Sequence, residues 1–384
     1  MTDARIGRAL LALCGHRAGE IEGLPAPEWR ALDALAEQHR LTPFLHGRVQ
    51  RGEIAAPPGD IAAGWQAAHR ANAIAVLFQR RALLQAMESL ASEGIGAVAL
   101  KGSALAWTVW PAQADRAMRD IDLLVAEDNA ALAYRTLRAA RWEGPDLTES
   151  ELAAFAERET HFPALLSPEG VVCELHARVW GRAPLPGMTM PERRDGQVLA
   201  HARHSEKVGM AIPGAHDMLA HLVVHAACSH LLNVGPLALV DIDLWCARKA
   251  IDWSSYWDSA QSDGTARPSA LVFALVDRWR RPGFIEETHC PLAVDELVLD
   301  ESELLLVQDL GARKDVSAIA SLSAGKFGGR FVQHPLDRAK DRASFRQRLV
   351  HVADRATSLG RSLLSRTTRR DGIATARLQN WMES

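Results

Sequence analysis

The sequence predicts an α+β fold, in which a small mixed β-sheet is flanked by N-terminal helices and a C-terminal helical domain. Three observations predict this fold. Apolar residues recur at helical spacing through residues 1–93, short apolar runs separated by turn residues fill residues 94–181, and helical spacing returns over residues 215–384. Residues 182–214 are rich in Pro, Gly and Arg and predict an irregular connector.

The N-terminal region is predicted to consist of helices separated by loops. The segment Trp29–Ala36 has apolar residues at helical spacing, and the two prolines within Ala55–Gly59 predict a loop. A long amphipathic helix follows from about Ile61 to Glu93.

The core begins with a predicted strand at Gly94–Leu100, which leads into a tight turn at Lys101-Gly102-Ser103. A short helix is predicted over Ala104–Trp110, with Ser103 as its N-cap because a serine oxygen can accept hydrogen bonds from the first free amides of a helix.

The remaining core elements follow in an order typical of a small mixed sheet. Pro111–Arg119 is predicted as a loop, Asp120–Val125 as a strand and Asn129–Ala140 as a helix. Phe162–Leu166 and Val171–His176 are predicted as two strands of a hairpin, joined by a Ser-Pro-Glu-Gly turn.

Three carboxylates in these strands indicate a metal site. Asp120 and Asp122 are two residues apart on one predicted strand, so their side chains point to the same face. Glu174 lies in the second apolar strand pattern. Carboxylate oxygens beside a phosphate-sized turn would suit Mg²⁺, or alternatively Mn²⁺, carrying a nucleoside triphosphate. The alternative is that these residues are solvent-facing charges on an edge strand.

The order of these motifs resembles the DNA polymerase beta-like nucleotidyltransferase superfamily. More narrowly, Leu-Lys-Gly, Arg116, Asp-Ile-Asp-Leu-Leu-Val and a later acidic-Leu-His strand are similar to a bacterial family of uncharacterised nucleotidyltransferases. The resemblance covers roughly residues 30 to 260. Lys101 is usual in the narrower family, whereas the wider superfamily often has a second Gly there. Glu174 departs from the Asp that is common in the family.

The resemblance implies a role for each motif residue. The carboxylates would be catalytic and metal-binding, and the residues around them would bind nucleotide. Arg116 and Arg119 could instead form ion pairs with Asp115, Asp120 or Asp122, and His176 could be a buried, hydrogen-bonded histidine. The implied catalytic and metal residues are Asp120, Asp122 and Glu174, and the implied nucleotide-binding residues are Lys101, Gly102, Ser103, Arg116, Arg119 and His176.

Two features of the C-terminal helical region bear on function. His221, His225 and His230 follow an H-x₃-H-x₄-H spacing, which would suit either a metal or a buried helix face of hydrogen-bonded histidines, and the resemblance implies that they face the cleft. Asp241 and Asp243 repeat the Asp-Ile-Asp tripeptide, but on a predicted helix, where residues two apart diverge by about 200° and cannot chelate together.

Composition bounds the remaining possibilities. The net charge of −3 gives no reason to expect nucleic acid as a partner, and the five scattered cysteines indicate reduced thiols. No stretch is long and apolar enough for a membrane span, so a cytoplasmic location is expected by default. The glycine-rich Gly325–Arg330 lacks P-loop spacing and is predicted as a loop, and the basic run Arg366–Arg370 as a solvated helix face that could dock an acidic partner.

The predicted function is therefore Mg-dependent transfer of a nucleoside monophosphate from a nucleoside triphosphate, with ATP expected, to a hydroxyl-bearing acceptor. The acceptor could be a small molecule, a peptide or a protein, and pyrophosphate would be released. Two alternatives remain open. One is a non-catalytic module that binds nucleotide or a partner through the same fold, and the other is a toxin or antitoxin-type enzyme that adenylylates a protein.

Overall fold

The structure is a computed structural model, and it describes residues 4–21, 23–181, 193–310 and 366–383. It confirms the α+β prediction, because the described residues form a six-stranded mixed sheet surrounded by helices. The predicted loop at Gly325–Arg330 lies outside the described residues.

The helices before the sheet are α1 (Ala4–Cys14), α2 (Ala26–Gln38), α3 (Thr42–Gln50) and α4 (Gly59–Ser92), with a 3₁₀ turn at Ala18–Ile21. Helix α3 packs along the long helix α4, α2 contacts α4 at Trp65, and α1 packs against α2. The apolar face of α4 is buried at Trp65, Val76, Leu83 and Leu90, as expected for an amphipathic helix that covers a core.

The sheet has the strand order β3-β4-β2-β1-β6-β5. β2 is central and pairs in parallel with β4 and antiparallel with β1. The predicted hairpin is confirmed, since β3 and β4 pair antiparallel. The strands are β1 (Ala97–Ala99), β2 (Asp120–Val125), β3 (Leu165–Leu166), β4 (Val172–His176), β5 (Arg203–Ser205) and β6 (Met210–Ile212).

The prediction of an irregular connector at residues 182–214 is wrong where the structure describes it. Helix α8 (Arg193–His201) is followed by the hairpin of β5 and β6, and Ala211 of β6 pairs in parallel with Val98 of β1. Gly209, at φ 81°, closes the turn between the two strands. The three-residue strands are too short for an alternating pattern to reveal them.

The two core helices predicted from the sequence, over Ala104–Trp110 and Asn129–Ala140, are present with boundaries that differ by a few residues, which is ordinary for helix ends. Thr148 and Glu151 form a capping box at the start of α7, which fixes that boundary. The core helices are α5 (Lys101–Thr108), α6 (Glu127–Ala139) and α7 (Glu149–Arg158), with a 3₁₀ turn at Gln113–Asp115.

The region after the sheet is helical, as predicted, wherever the structure describes it. None of the described helices is both long and apolar enough to cross a bilayer. The elements are α9 (Ala215–Val223), a π-helix (Val224–Ser229), α10 (Leu237–Arg248), α11 (Trp253–Ser262), α12 (Ala266–Trp279), α13 (Phe284–Glu287), α14 (Glu296–Leu306) and α15 (Arg366–Glu383).

Candidate active site

The pairing of β2 with β4 places two acidic side chains side by side. Asp122 is the direct neighbour of Glu174 in the parallel register, so both side chains project from the same face of the sheet. The backbone of Asp122 is held from both sides, because its carbonyl accepts from the Leu100 N–H and its N–H donates to Ser103 Oγ at 2.9 Å. The first strand and the following helix therefore fix this carboxylate in place.

Asp122 is buried, with 3% of its surface exposed, and its carboxylate contacts two basic side chains. Lys101 Nζ donates to Asp122 Oδ1 at 2.6 Å, and His176 Nε2 lies 2.9 Å from the same oxygen. Burial opposes ionisation, but the Lys101 ammonium and the His176 imidazole outweigh it and hold the pKa of the Asp122 carboxyl well below its usual range. Asp122 is therefore a carboxylate at neutral pH.

Glu174 and His176 complete a compact group with Asp122. His176 Nε2 lies 3.7 Å from Glu174 Oε2, and one ligand atom from each of the three residues lies within 4.8 Å of the others. His176 lowers the pKa of the Glu174 carboxyl, against the opposing effect of burial. Burial and Lys101 oppose protonation of His176, but its hydrogen bond to Asp122 and the nearby Glu174 carboxylate outweigh them and raise its pKa. This group could hold a metal ion.

Asp120 faces the same cleft but lies outside that compact group. Burial raises the pKa of its carboxyl, and the neighbouring charges of Asp122 and Glu174 raise it further. The predicted metal site consists of three carboxylates, whereas the compact group in the structure consists of two of them, Asp122 and Glu174, together with His176, which was predicted either as a nucleotide contact or as a buried, hydrogen-bonded histidine.

The glycine turn differs in detail from its prediction. Helix α5 begins at Lys101, with Leu100 in the N-cap position, so Ser103 lies inside the first turn and is not the cap. Lys101 adopts a left-handed backbone conformation at φ 42°. Gly102 is required by close packing, since a Cβ there would lie 2.3 Å from Arg116 Nη1. The turn thus packs directly against the loop that carries the predicted nucleotide-binding arginines.

Arg116 forms an ion pair that none of the sequence alternatives included. Its Nε and Nη2 donate to the two carboxylate oxygens of Asp241 at 2.9 and 2.7 Å, and Trp110 Nε1 also donates to Asp241. Asp241 lies on α10, as predicted, and diverges from Asp243, which pairs with Arg280 outside the cleft. The Arg116–Asp241 pair therefore joins the loop before β2 to the C-terminal helices.

Helix α4 anchors the same loop from the other side. The buried Asp115 accepts from Arg51 at 2.5 Å and lies 3.1 Å from His69 Nε2. Asn72 and Gln79 of α4 donate to the backbone carbonyls of Ala114 and Met118. These contacts make the loop a fixed part of the site, although the sequence shows no pattern that links it to α4.

The C-terminal helices supply the opposite side of the cleft, which is the side of the three predicted histidines. The His221 and His225 rings lie 6.1 Å apart, and the His225 and His230 rings 4.5 Å apart. Burial, with the nearby Lys101 charge, lowers the pKa of His221 and His225 well below the usual range, so both are neutral at pH 7. Within the described residues these histidines are not part of any group of three candidate metal ligands.

The backbone here is unusual as well. His225 lies in the π-helix Val224–Ser229, whose wider turn is often found at functional sites, and Leu231 and Leu232 both have positive φ. Leu232 N–H donates back to the Ala226 carbonyl, which closes the segment.

The cleft between these two sides has a volume of about 670 Å³. We call its charged side the strand wall and its histidine side the helical wall. The strand wall consists of Lys101, Asp120, Asp122, Glu174 and His176, and the helical wall of Leu222, Val234, Leu237 and the three histidines. Arg40, from the junction of α2 and α3, also lines the cleft and was not predicted, because nothing in the local sequence marks it.

Comparison with known proteins agrees with this geometry. A family model described as an uncharacterised nucleotidyltransferase matches residues 25–281, about two thirds of the chain, and the chain belongs to that family. Searches of curated proteins and of solved structures found no match.

Proposed function

We propose that this member of the uncharacterised nucleotidyltransferase family is a metal-dependent enzyme that transfers a nucleoside monophosphate from a nucleoside triphosphate to a hydroxyl-bearing acceptor. ATP is the expected donor, and pyrophosphate is the leaving group. The observation that carries the proposal is the parallel register of Asp122 with Glu174, in a cleft that is also lined by Lys101 and Gly102 at the start of α5.

The residues present fit a divalent cation. Asp122 and Glu174 offer carboxylate oxygens within 4.8 Å of one another, Asp120 adds another in the same cleft, and oxygen ligands are those that Mg²⁺ and Mn²⁺ prefer. When bound, the ion would neutralise phosphate charge and lower the pKa of the acceptor hydroxyl.

The chain's own residues would position the reactants. Lys101 and the amides of the first turn of α5 would lie beside the phosphates, since free amides and positive charge at a helix start attract anions. Glu174 is ionised at neutral pH because its pKa is lowered, so it could take the proton of the acceptor hydroxyl. The acceptor oxygen would then bond to the α-phosphorus, and the bond to the β-phosphate oxygen would break.

The test is pyrophosphate release from each of the four common nucleoside triphosphates with Mg²⁺ or Mn²⁺ and a panel of hydroxyl compounds. Intact-mass analysis of added proteins would detect a protein acceptor. Asp122→Asn should lower the rate by about 10²–10³-fold or more, since a charge at the reacting centre is removed.

Asp243→Asn is the matched control, because it makes the same change at the same place in the second Asp-Ile-Asp tripeptide, outside the cleft. Its rate per folded molecule should equal that of the wild type. Retention of the wild-type rate by Asp122→Asn would refute the assignment.

One observation favours the second candidate, a nucleotide-binding module without chemistry. Lys101 already neutralises Asp122 at 2.6 Å, so a phosphate could be held beside an internal cation. Calorimetry distinguishes the two candidates. ATP binding that is unaffected by Mg²⁺, with no pyrophosphate released in any acceptor mixture, would support the module and exclude the enzyme.

A further inference from the structure

Arg40 is a cationic side chain that enters the cleft from the N-terminal helices. It follows α2 directly and lines the cleft together with Arg116, Arg119 and Asp120. The resemblance and the motifs identify residues of the core and of the C-terminal helices, so the contribution of this N-terminal segment becomes visible only in the folded chain.

The arginines of the cleft differ in whether they already have a partner. Arg116 is held by both carboxylate oxygens of Asp241, so its charge is already paired and two of its five N–H donors are used. In the part of the chain that the structure describes, neither Arg40 nor Arg119 forms an ion pair or a side-chain hydrogen bond. Arg40 is half-buried, whereas Arg119 is exposed.

The electrostatics of this corner favour an anion. Burial, together with the charges of Arg119 and Arg116, lowers the pKa of Arg40 to about 10, and the charge of Asp120 opposes this shift. At neutral pH Arg40 is still protonated. Three guanidinium groups therefore line one partly buried part of the cleft, and only that of Arg116 is already paired with a carboxylate. An incoming anion would reduce the repulsion between the three positive charges.

Arg40 is also held in a defined place. It occupies the position after the C-cap of α2, at φ 56°, and the Leu41 N–H donates to the Ala36 carbonyl as in a Schellman motif. The adjacent His39 is buried, and its Nε2 lies 3.1 Å from the Gln308 carbonyl oxygen.

The backbone alone does not indicate function, because Arg141 has the same arrangement. It follows α6 at φ 67°, and Trp142 N–H donates to the Leu137 carbonyl. Arg141 is exposed and does not line the cleft. The position of Arg40 in the cleft is what distinguishes the two residues, and Arg141 is therefore a matched control.

We infer that Arg40, with Arg119 beside it, binds the β- and γ-phosphates of the nucleoside triphosphate, while Arg116 braces the cleft through Asp241. This inference rests on the proposed function and identifies the subsite for the polyphosphate tail. It assigns the tail to a residue outside the recognised motifs.

The experiment is calorimetry on the full chain with ATP, AMP and inorganic tripolyphosphate, in Mg²⁺ and without acceptor. Arg40→Asn removes the guanidinium but keeps a residue that tolerates positive φ. We expect it to weaken ATP and tripolyphosphate binding by about tenfold or more, the usual loss for one charged hydrogen-bond partner, and to leave AMP affinity within about twofold. Arg141→Asn should leave all three affinities unchanged.

The possible results distinguish a failure of the proposed function from a failure of the Arg40 assignment. If the wild type binds none of the four common nucleoside triphosphates, the proposed function and the Arg40 subsite both fail. If the wild type binds ATP and Arg40→Asn binds it equally well, only the Arg40 assignment fails. Equal losses for ATP and AMP would overturn the assignment to the tail. Should Arg40→Asn fold poorly, Arg40→Gly, which suits the same backbone, gives the same test.

Discussion

Histidines on the two walls of the cleft have pKa values that are shifted in opposite directions. On the strand wall, His176 is buried against two carboxylates, and its pKa is raised. On the helical wall, His221 is buried and His225 is half-buried near Lys101. Within the described residues neither is hydrogen-bonded to a carboxylate, and the pKa of each is lowered. Burial opposes protonation in all three cases, so the charges of the neighbours decide the direction.

This difference suggests a division of labour in the cleft. The strand wall combines cations and carboxylates, which suits phosphates and a divalent ion. The helical wall combines neutral imidazoles with apolar side chains such as Leu222 and Val234, which suits an uncharged group with hydrogen-bonding atoms. We therefore expect the uncharged parts of the substrates to lie against the helical wall.

The largest effect should come from removing the Asp122 carboxylate, which pairs with both Lys101 and His176 in the strand wall. Asp122→Ala leaves Lys101 and His176 without their shared partner, and breaking a buried ion pair costs about 3–5 kcal/mol of unfolding free energy. Adding Lys101→Met should restore at least about 1 kcal/mol, since the uncompensated ammonium is removed. Urea denaturation of both variants in EDTA measures this, and a double variant that is no more stable than Asp122→Ala would contradict it.

The next largest effect concerns the contact of Gly102 with Arg116, whose ion pair with Asp241 joins the loop before β2 to the C-terminal helices. Gly102→Ala would place a Cβ 2.3 Å from Arg116 Nη1 and 2.7 Å from Met118 Sδ. We expect a loss of about 1–3 kcal/mol from overpacking. Gly64→Ala is the control, because nothing lies within 4 Å of that site on α4, and it should be neutral or stabilising. Equal melting temperatures for the two variants would show that the turn can give way.

Measuring the stability of the protein over a range of pH tests the opposite pKa shifts of His176 and His221 directly. The raised pKa of His176 gives a stability contribution that is complete below pH 6.5, its ordinary pKa, and is lost as pH rises through the folded-state value. The lowered pKa of His221 makes the native state lose stability as pH falls below 6.5, because only the unfolded chain then takes up the proton.

His176→Gln should therefore flatten the alkaline side of the stability profile, and His221→Gln the acid side. Urea midpoints in EDTA, from about pH 4 to about pH 9, measure both. Two variants that flatten the same side would remove the contrast between the walls.

The smallest effect is expected at Arg119, which is exposed at the mouth of the cleft. Arg119→Gln should weaken ATP binding by about two- to fivefold, as is usual for an exposed charge, and the difference should vanish at high salt. Calorimetry at two salt concentrations measures this. A loss larger than that of Arg40→Asn would show that the exposed arginine is the main tail ligand.

The sequence predicted those features that depend on residues close together in the chain. Alternation and β-branching located β2 and β4, and the i, i+2 spacing placed Asp120 and Asp122 on one face. It could not predict the partner of Arg116, since Asp241 is 125 residues away and on a helix. The approach of Arg40 and the hold of α4 on the loop before β2 are also long-range contacts without a local pattern.

The π-helix at Val224–Ser229 has a consequence for how the cleft could change. Deleting a single residue there, such as Ala227, would let the chain wind at the regular 3.6 residues per turn. Because each turn of a π-helix contains about one residue more than an α-turn, the deletion would remove the extra residue, and the side chains beyond it would keep nearly the same direction about the helix axis. The turn that carries His225 would become narrower, whereas His230 would keep its side of the cleft. One codon lost in this segment would thus change the part of the helical wall around His225 and leave the strand wall intact.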